Sequence, residues 1–293
     1  TIFGTLGAIP FLGIFLITRE RFATHPTQPQ PIIPALQAAW DNVPFRIATG
    51  LNLLNWVTFD LVALMLPYFI KYWIDSGQDL QLKVPLLGRL TTTSLVFFIL
   101  LTTAIIALPL WSHAAKHWGK RNAYIAGMAF WAVVQTAIIT IMPGQHTYIL
   151  ILALFAGISV STAHVLPNAL FPDTLEWDEL RTGQRREGMY YGILNLTRKI
   201  TGAITVFLAL QTLALFNYRT PPTDATIFQQ PPQTLTAIRT LTGPLGAVLL
   251  MGAITIAFFY PVSRERHARV RRLLARRRAR TLSHHKPTPR ISK

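Results

Sequence analysis

The sequence predicts an all-α integral membrane protein, and three observations carry that reading. Apolar residues make up 51% of the chain and charged residues only 14%, the mean hydropathy is positive, and the apolar residues gather into seven runs of roughly 20. A soluble domain usually carries about a quarter charged residues. A helix needs about 20 apolar residues to cross a hydrocarbon layer about 30 Å thick. The runs do not alternate apolar with polar residues, which excludes the strands of a transmembrane β-barrel. The chain has no cysteine, so disulfides, thiolate metal ligands and cysteine nucleophiles play no part in its chemistry.

The expected spans are approximately Ile2 to Ile17, Ile47 to Ile70, Leu95 to Trp111, Tyr124 to Met142, Tyr148 to Leu170, Tyr191 to Phe216 and Gly243 to Pro261. Between the first two, Pro26, Pro29, Pro31 and Pro34 prevent a continuous helix and favour an extended, solvated linker. Ala35 to Trp40 can form a short amphipathic turn on the membrane surface. Basic residues then set the orientation. Arg19, Arg21 and Arg46, next Lys116, Lys120 and Arg121, next Arg181, Arg185 and Arg186, and last the Arg-rich tail all fall on one side. The other side keeps only Lys71, Lys83, Arg89, Arg219 and Arg239. By the positive-inside rule the N-terminus is outside and the C-terminus inside. The tail supplies much of the formal net charge of +16. It has no stacking aromatics and no recognisable module, so anionic lipid headgroups, not nucleic acid, are its expected partners.

An ionisable residue inside a span is a functional-site candidate by default. Asp60 lies near the middle of the second span, with Trp56 one turn and Asn52 two turns earlier on the same face and Asn55 at its flank. That face either lines a cavity, as a solute or proton contact, or meets another helix through hydrogen bonds. His164 has Asn168 one turn later, with Pro167 weakening the helix between them. A lone histidine on an apolar helix is more often structural than a ligand, yet His164 remains a candidate. In the sixth span Asn195, Arg198 and Lys199 stand at i, i+3 and i+4 and so share one surface. Snorkelling to the headgroups is the alternative to a site role for these cations; the site role is expected for Lys199 and snorkelling for Arg198. No His, Asp or Glu cluster has metal-ligand spacing, so no metal and no cofactor is expected.

The segment from Phe171 to Lys199 is dense in charge of both signs within a chain otherwise poor in charge. Charges in hydrocarbon cost several kcal/mol unless paired or hydrated, so the segment is expected to be a membrane-surface hairpin. Its Asp173, Glu176, Trp177, Asp178, Glu179, Thr182, Gly183, Arg185, Glu187, Gly188, Tyr191 and Gly192 resemble, in order, the connection between the tenth and eleventh helices of the glycoside-pentoside-hexuronide:cation symporters, a family of the major facilitator superfamily. Further stretches match as well: Pro44 to Tyr72 resembles the family's seventh helix, Ile227 to Thr242 its last outer loop, and Tyr260 to His267 the end of its twelfth helix. Ser112 to Arg121 resembles the superfamily's inner-loop signature at Gly119, Lys120 and Arg121. Lys116 holds the position of the signature's helix-capping Asp, which leaves plain positive-inside anchoring as the alternative.

The resemblance implies the major facilitator fold, with twelve helices in two six-helix halves. Residues 1–17 would then be the last helix of the N-terminal half, 18–46 the central cytosolic loop, 47–262 the C-terminal six-helix transport bundle, and 263–293 the basic cytosolic tail. The chain opens on Thr1 with no Met, basic n-region or Ala-x-Ala site, so the expectation is an N-terminally truncated transporter whose missing half is its partner. The family implies symport of a small solute, a glycoside, pentoside or hexuronide, coupled to Na+ or H+ by alternating access in the plasma (inner) membrane. Lys199 falls where many members have a lysine between the cation and sugar sites, and Asn195 where a polar residue contacts sugar. Asp173, Asp178, Glu179, Gly183, Arg185, Arg186, Glu187 and Gly188 would form a cytosolic gate. The alternatives are a lysolipid carrier of the same fold and a seven-helix receptor. Retinal attachment needs a lysine deep in the last span, and Gly243 to Pro261 has none. An enzyme is disfavoured because the loop carboxylates interleave with arginines, which suits ion pairing better than general acid/base work.

Overall fold

A computed structural model of the chain describes residues 2–17, 32–76, 81–84, 88–183, 186–222 and 228–260, with 266, 269, 270, 272–274 and 276. Most of the linker, Arg185 and most of the basic tail therefore lie outside the described residues. Contacts divide the chain into two units, Thr1–Gln37 and Ala38–Lys293. In the first unit α1 spans Ile2–Ile17. Its 16 residues extend about 24 Å at 1.5 Å per residue, so the first expected span is present as a helix. The helix α2, Ile32–Asp41, begins in the first unit and ends in the second.

Six helical segments of the second unit are long and apolar enough to cross a membrane: Val43–Ile74, Thr92–Trp118, Lys120–Thr140, His146–Thr182, Glu187–Leu215 and Pro232–Phe258. They correspond to the second through seventh expected spans, with altered boundaries. The first contains α3, Val43–Phe69, which opens on an Asn42 cap that accepts from the Phe45 amide and closes in a π-helical turn, Ile70–Ile74. A short antiparallel hairpin, β1 (Gln81–Val84) with β2 (Gly88–Thr91), follows and pairs Leu82 with Leu90. Sequence reading gave this connection no structure. Beyond it come α4 (Thr92–Trp118) and α5 (Lys120–Ala137), separated only by Gly119 at φ 83°.

The charged segment is less of a loop than expected. The helix α6 runs unbroken over His146–Thr182, through Pro167 and Pro172, and α7 starts at Glu187 and ends at Leu215. Only residues 183–186 separate the two helices. The chain turns at Gly183, whose φ of 75° and N–H hydrogen bond to the Glu179 carbonyl at 2.9 Å close α6 in the left-handed conformation that glycine adopts without strain. Asp173 and Asp178 on this extension are paired with Lys120 and Arg186, so their helix need not unfold to bring them to water. The expected outer loop Ile227 to Thr242 is also corrected: α8 spans Pro232–Thr242 and leads through Gly243 into α9, Pro244–Phe258. Thr234, Ala237, Ile238, Leu241 and Thr242 are buried on one face of α8, and this helical periodicity is what holds the segment against the bundle.

Packing places α3 against α6, α7, α8 and α9, α4 along α6, and α5 between α6 and α9. Lipid tails are as apolar as leucine, so such helices gain from close fit instead of water exclusion. The fit is tightest at Gly157 of α6, where a Cβ would collide with the Thr103 hydroxyl and the Leu100 carbonyl of α4. One apolar cluster gathers Leu51, Tyr124, Trp131, Leu166 and Leu250, a second Met65, Phe69, Ile70 and Ile238. A third, formed by Ala39, Phe45, Phe171, Leu175 and Tyr190, docks the extended end of α6 onto the start of α3.

Candidate functional site

Asp60, in the body of α3, meets Arg198 of α7. Arg198 Nη1 lies 2.7 Å from Asp60 Oδ2 and Nη2 2.8 Å from Oδ1, a two-pronged pair whose side chains are 18% (Asp60) and 26% (Arg198) exposed. The planar guanidinium fork matches the carboxylate with two parallel bonds. Its carbon also sits 4.0 Å from the Trp56 ring centroid, so the cation is held by charge on one side and by an aromatic face on the other. Gly202, one turn after Arg198, keeps this space open: a Cβ there would stand 2.6 Å from Arg198 Nη1 and 3.1 Å from Asp60 Oδ2. His164 of α6 completes the wall, its ring edge-on to Trp56 at 5.4 Å and to Phe59 at 5.3 Å.

The structure thus brings Trp56, Asp60 and His164 together and adds Arg198. The expected snorkelling of Arg198 is overturned, because a carboxylate in mid-span attracts the nearest guanidinium more strongly than the headgroup region does. The missed signal was the unbalanced charge of Asp60, which required a partner from another span. Asn195 and Lys199 are exposed on α7, and neither bonds to the pair. Asn52 is buried two turns below Asp60. Asn55 turns away from this face and accepts from the buried Tyr124 hydroxyl at 2.9 Å. Asn168 folds back on its own helix, donating to the His164 carbonyl at 2.8 Å.

At the basic end the two sequence motifs join. Lys120 donates to both oxygens of Asp173, at 2.7 and 2.8 Å, and to the Ala169 carbonyl at 2.7 Å. Arg121 donates to the Phe258 carbonyl at 2.8 Å, capping the last turn of α9, so the helix-capping task falls to this arginine and not to Lys116. Tyr260, just beyond α9, is buried, and burial together with the nearby Asp173 carboxylate raises its phenol above the usual tyrosine range. Arg186 grips Asp178 across the turn at 3.0 Å; Asp178 is buried and Arg186 half-buried. Asn42 donates to the Thr174 carbonyl at 3.1 Å and to the Tyr190 hydroxyl at 3.3 Å. Glu179 and Glu187 are half-buried, Gly188 is exposed, and Glu187 sits in the first turn of α7, where a negative charge favours the helix dipole.

Removing Arg186 leaves the Asp178 carboxylate buried without its cation. Arg186→Ala is expected to speed amide hydrogen exchange over residues 176–182 while leaving α4 and α5 protected; equal exchange in both proteins would show that the pair does not hold the turn.

A bundle of apolar helices wrapped around an intramembrane ion pair defines a membrane carrier protein more readily than an enzyme. A family profile described as "MFS/sugar transport protein" matches residues 1–264, and the chain belongs to that family. It is a multi-pass membrane protein of the major facilitator type, a family of transporters and not enzymes. An uncharacterized symporter of Synechocystis sp. is 31% identical over 251 residues, covering 86% of this chain and 44% of that protein. A protein of Salmonella typhimurium provisionally named a sulfoquinovose importer is 27% identical over 282 residues, 94% of this chain and 55% of that protein. A sodium-dependent lysophosphatidylcholine symporter of Danio rerio is 22% identical over 200 residues, 68% of this chain and 34% of that protein. The chain spans about half the length of the curated bacterial relatives it matches.

Proposed function

We propose that the chain is the C-terminal transport bundle, with its preceding helix, of a secondary carrier that moves a sugar together with Na+ or H+ by alternating access. The observation that carries this is the Asp60–Arg198 pair: two opposite charges kept in mid-membrane, partly exposed, beside the face of Trp56. A sugar offers hydroxyls to a carboxylate and a guanidinium and an apolar ring face to an indole, so the cluster presents the groups such a solute needs. In this reading residues 18–46 link the two halves and 47–262 form the moving bundle. The ion pairs Lys120–Asp173 and Arg186–Asp178 hold the basic end closed, Arg185 adds to that gate, and the tail rests on anionic lipid. The family name and the symporter and importer names of relatives support it.

Lys199 follows Arg198 on α7 and is exposed. Its ammonium would supply positive charge to the cavity when no coupling ion is bound, with Asn195 one turn earlier contacting solute. In a carrier assembled with the upstream helices, Lys199→Ala is expected to lower accumulation against a gradient more than it lowers solute binding; normal accumulation would assign Lys199 to the headgroups.

A second reading is transport of a lysolipid. The observation that favours it is the exposed apolar surface of α7, with Leu196, Ile200, Ile204 and Phe207 uncovered, beside the cations an anionic headgroup would seek. Competition separates the two: a sugar carrier is inhibited by glycosides and indifferent to lysophospholipid.

A further inference from the structure

The basic end of the bundle holds a cavity of about 700 Å³ beside the Lys120–Asp173 pair. Its floor is apolar, made by Val165, Leu166 and Leu170 of α6, while its mouth carries Lys116, His117 and Arg121. We propose that this cavity binds the phosphate headgroup of an anionic phospholipid, whose acyl chains leave along the exposed face of α4.

Charge bookkeeping selects the ligand's sign. Lys120 and Asp173, which also line the cavity, neutralise one another at 2.7 Å. Lys116 is exposed and pairs with no carboxylate among the described residues. Arg121 spends one nitrogen on the Phe258 carbonyl, while its Nε is buried without an acceptor. The first turn of α5 opens on the same cavity, and its Gly119 cap offers no side-chain acceptor. Its amides add hydrogen-bond donors to the two surplus cations, with the carbonyl end of α4 meeting them at Gly119.

The lining selects a lipid over a free anion. Inorganic phosphate has no use for a floor of valine and leucine, whereas a phospholipid has glycerol and acyl carbons to cover it. Ile106 and Leu110 are exposed on α4 at positions that share a face with His113 and His117, so an apolar track runs from the cavity mouth toward the middle of the membrane. His113 and His117 stack at 4.1 Å at the end of that track.

The test uses the purified chain in nanodiscs of phosphatidylcholine containing phosphatidylglycerol, with retained lipid counted by native mass spectrometry. Selective retention of phosphatidylglycerol is expected. Lys116→Gln should lower it about fivefold, in keeping with the loss of one cation at a membrane surface, and Lys116→Glu by more, whereas Arg219→Gln, on an exposed residue of the opposite side, should leave it unchanged. Millimolar inorganic phosphate should not displace it. The proposal is overturned if both lipids are retained equally, if Lys116→Glu has no effect, if Arg219→Gln loses the lipid to the same extent, or if phosphate competes.

Discussion

Asp60→Ala and Arg198→Ala are each expected to destabilise the folded bundle by about 3 kcal/mol, because each leaves the opposite charge in mid-membrane without its partner. The double variant should recover a large part of that loss. Removing both ions removes the desolvation cost along with the attraction, and a neutral pair of alanines leaves only a packing gap. The partial exposure of both side chains and the contact of Arg198 with Trp56 keep the recovery incomplete. Thermal unfolding of the four proteins in one detergent gives the double-variant cycle. A coupling near zero would mean that the two side chains do not depend on each other.

Gly157→Ala should cost about 1 to 3 kcal/mol, through overpacking instead of lost charge. The added methyl meets the Leu100 carbonyl and the Ala104 amide nitrogen as well as the Thr103 hydroxyl. The hydroxyl can rotate away, but backbone of α4 moves only if the helix does. The expected result is a lower melting point with α4 loosened from α6, seen as faster exchange in α4. At Gly192, where a Cβ would meet nothing within 4 Å, the same substitution should be silent. A tolerated Gly157→Ala would show that the α4–α6 contact is wider than described.

The spans were legible because twenty apolar residues in a row have few other uses, and six of them stand close to where hydropathy put them. The ends were not legible. Hydropathy stops at the first charge, so it ended the α6 span at Leu170, whereas the helix continues to Thr182 once Asp173 and Asp178 find Lys120 and Arg186. Pairing between segments far apart in sequence decides such boundaries, and a window of neighbouring residues does not contain it. The same blindness hid Arg198. Spacing grouped it with Lys199 and Asn195, but only the approach of α7 to α3 shows which of the three reaches Asp60. Asp60, Trp56 and His164 were found because polar and aromatic residues in a span are conspicuous, and Asn55, about 100° round the helix from Trp56 at the flank of that face, meets Tyr124 of a neighbouring helix.

The central claim is that Asp60 and Arg198 form the heart of a coupled solute site in a two-halved carrier. The most direct test is uptake of radiolabelled sugars into proteoliposomes containing this chain together with the part of a full-length relative that it does not cover, with and without an imposed sodium or proton gradient. Gradient-driven accumulation is expected, lost in Asp60→Asn and absent from vesicles holding the 293-residue chain alone. Accumulation that ignores both gradients, or that survives Asp60→Asn unchanged, would contradict the account.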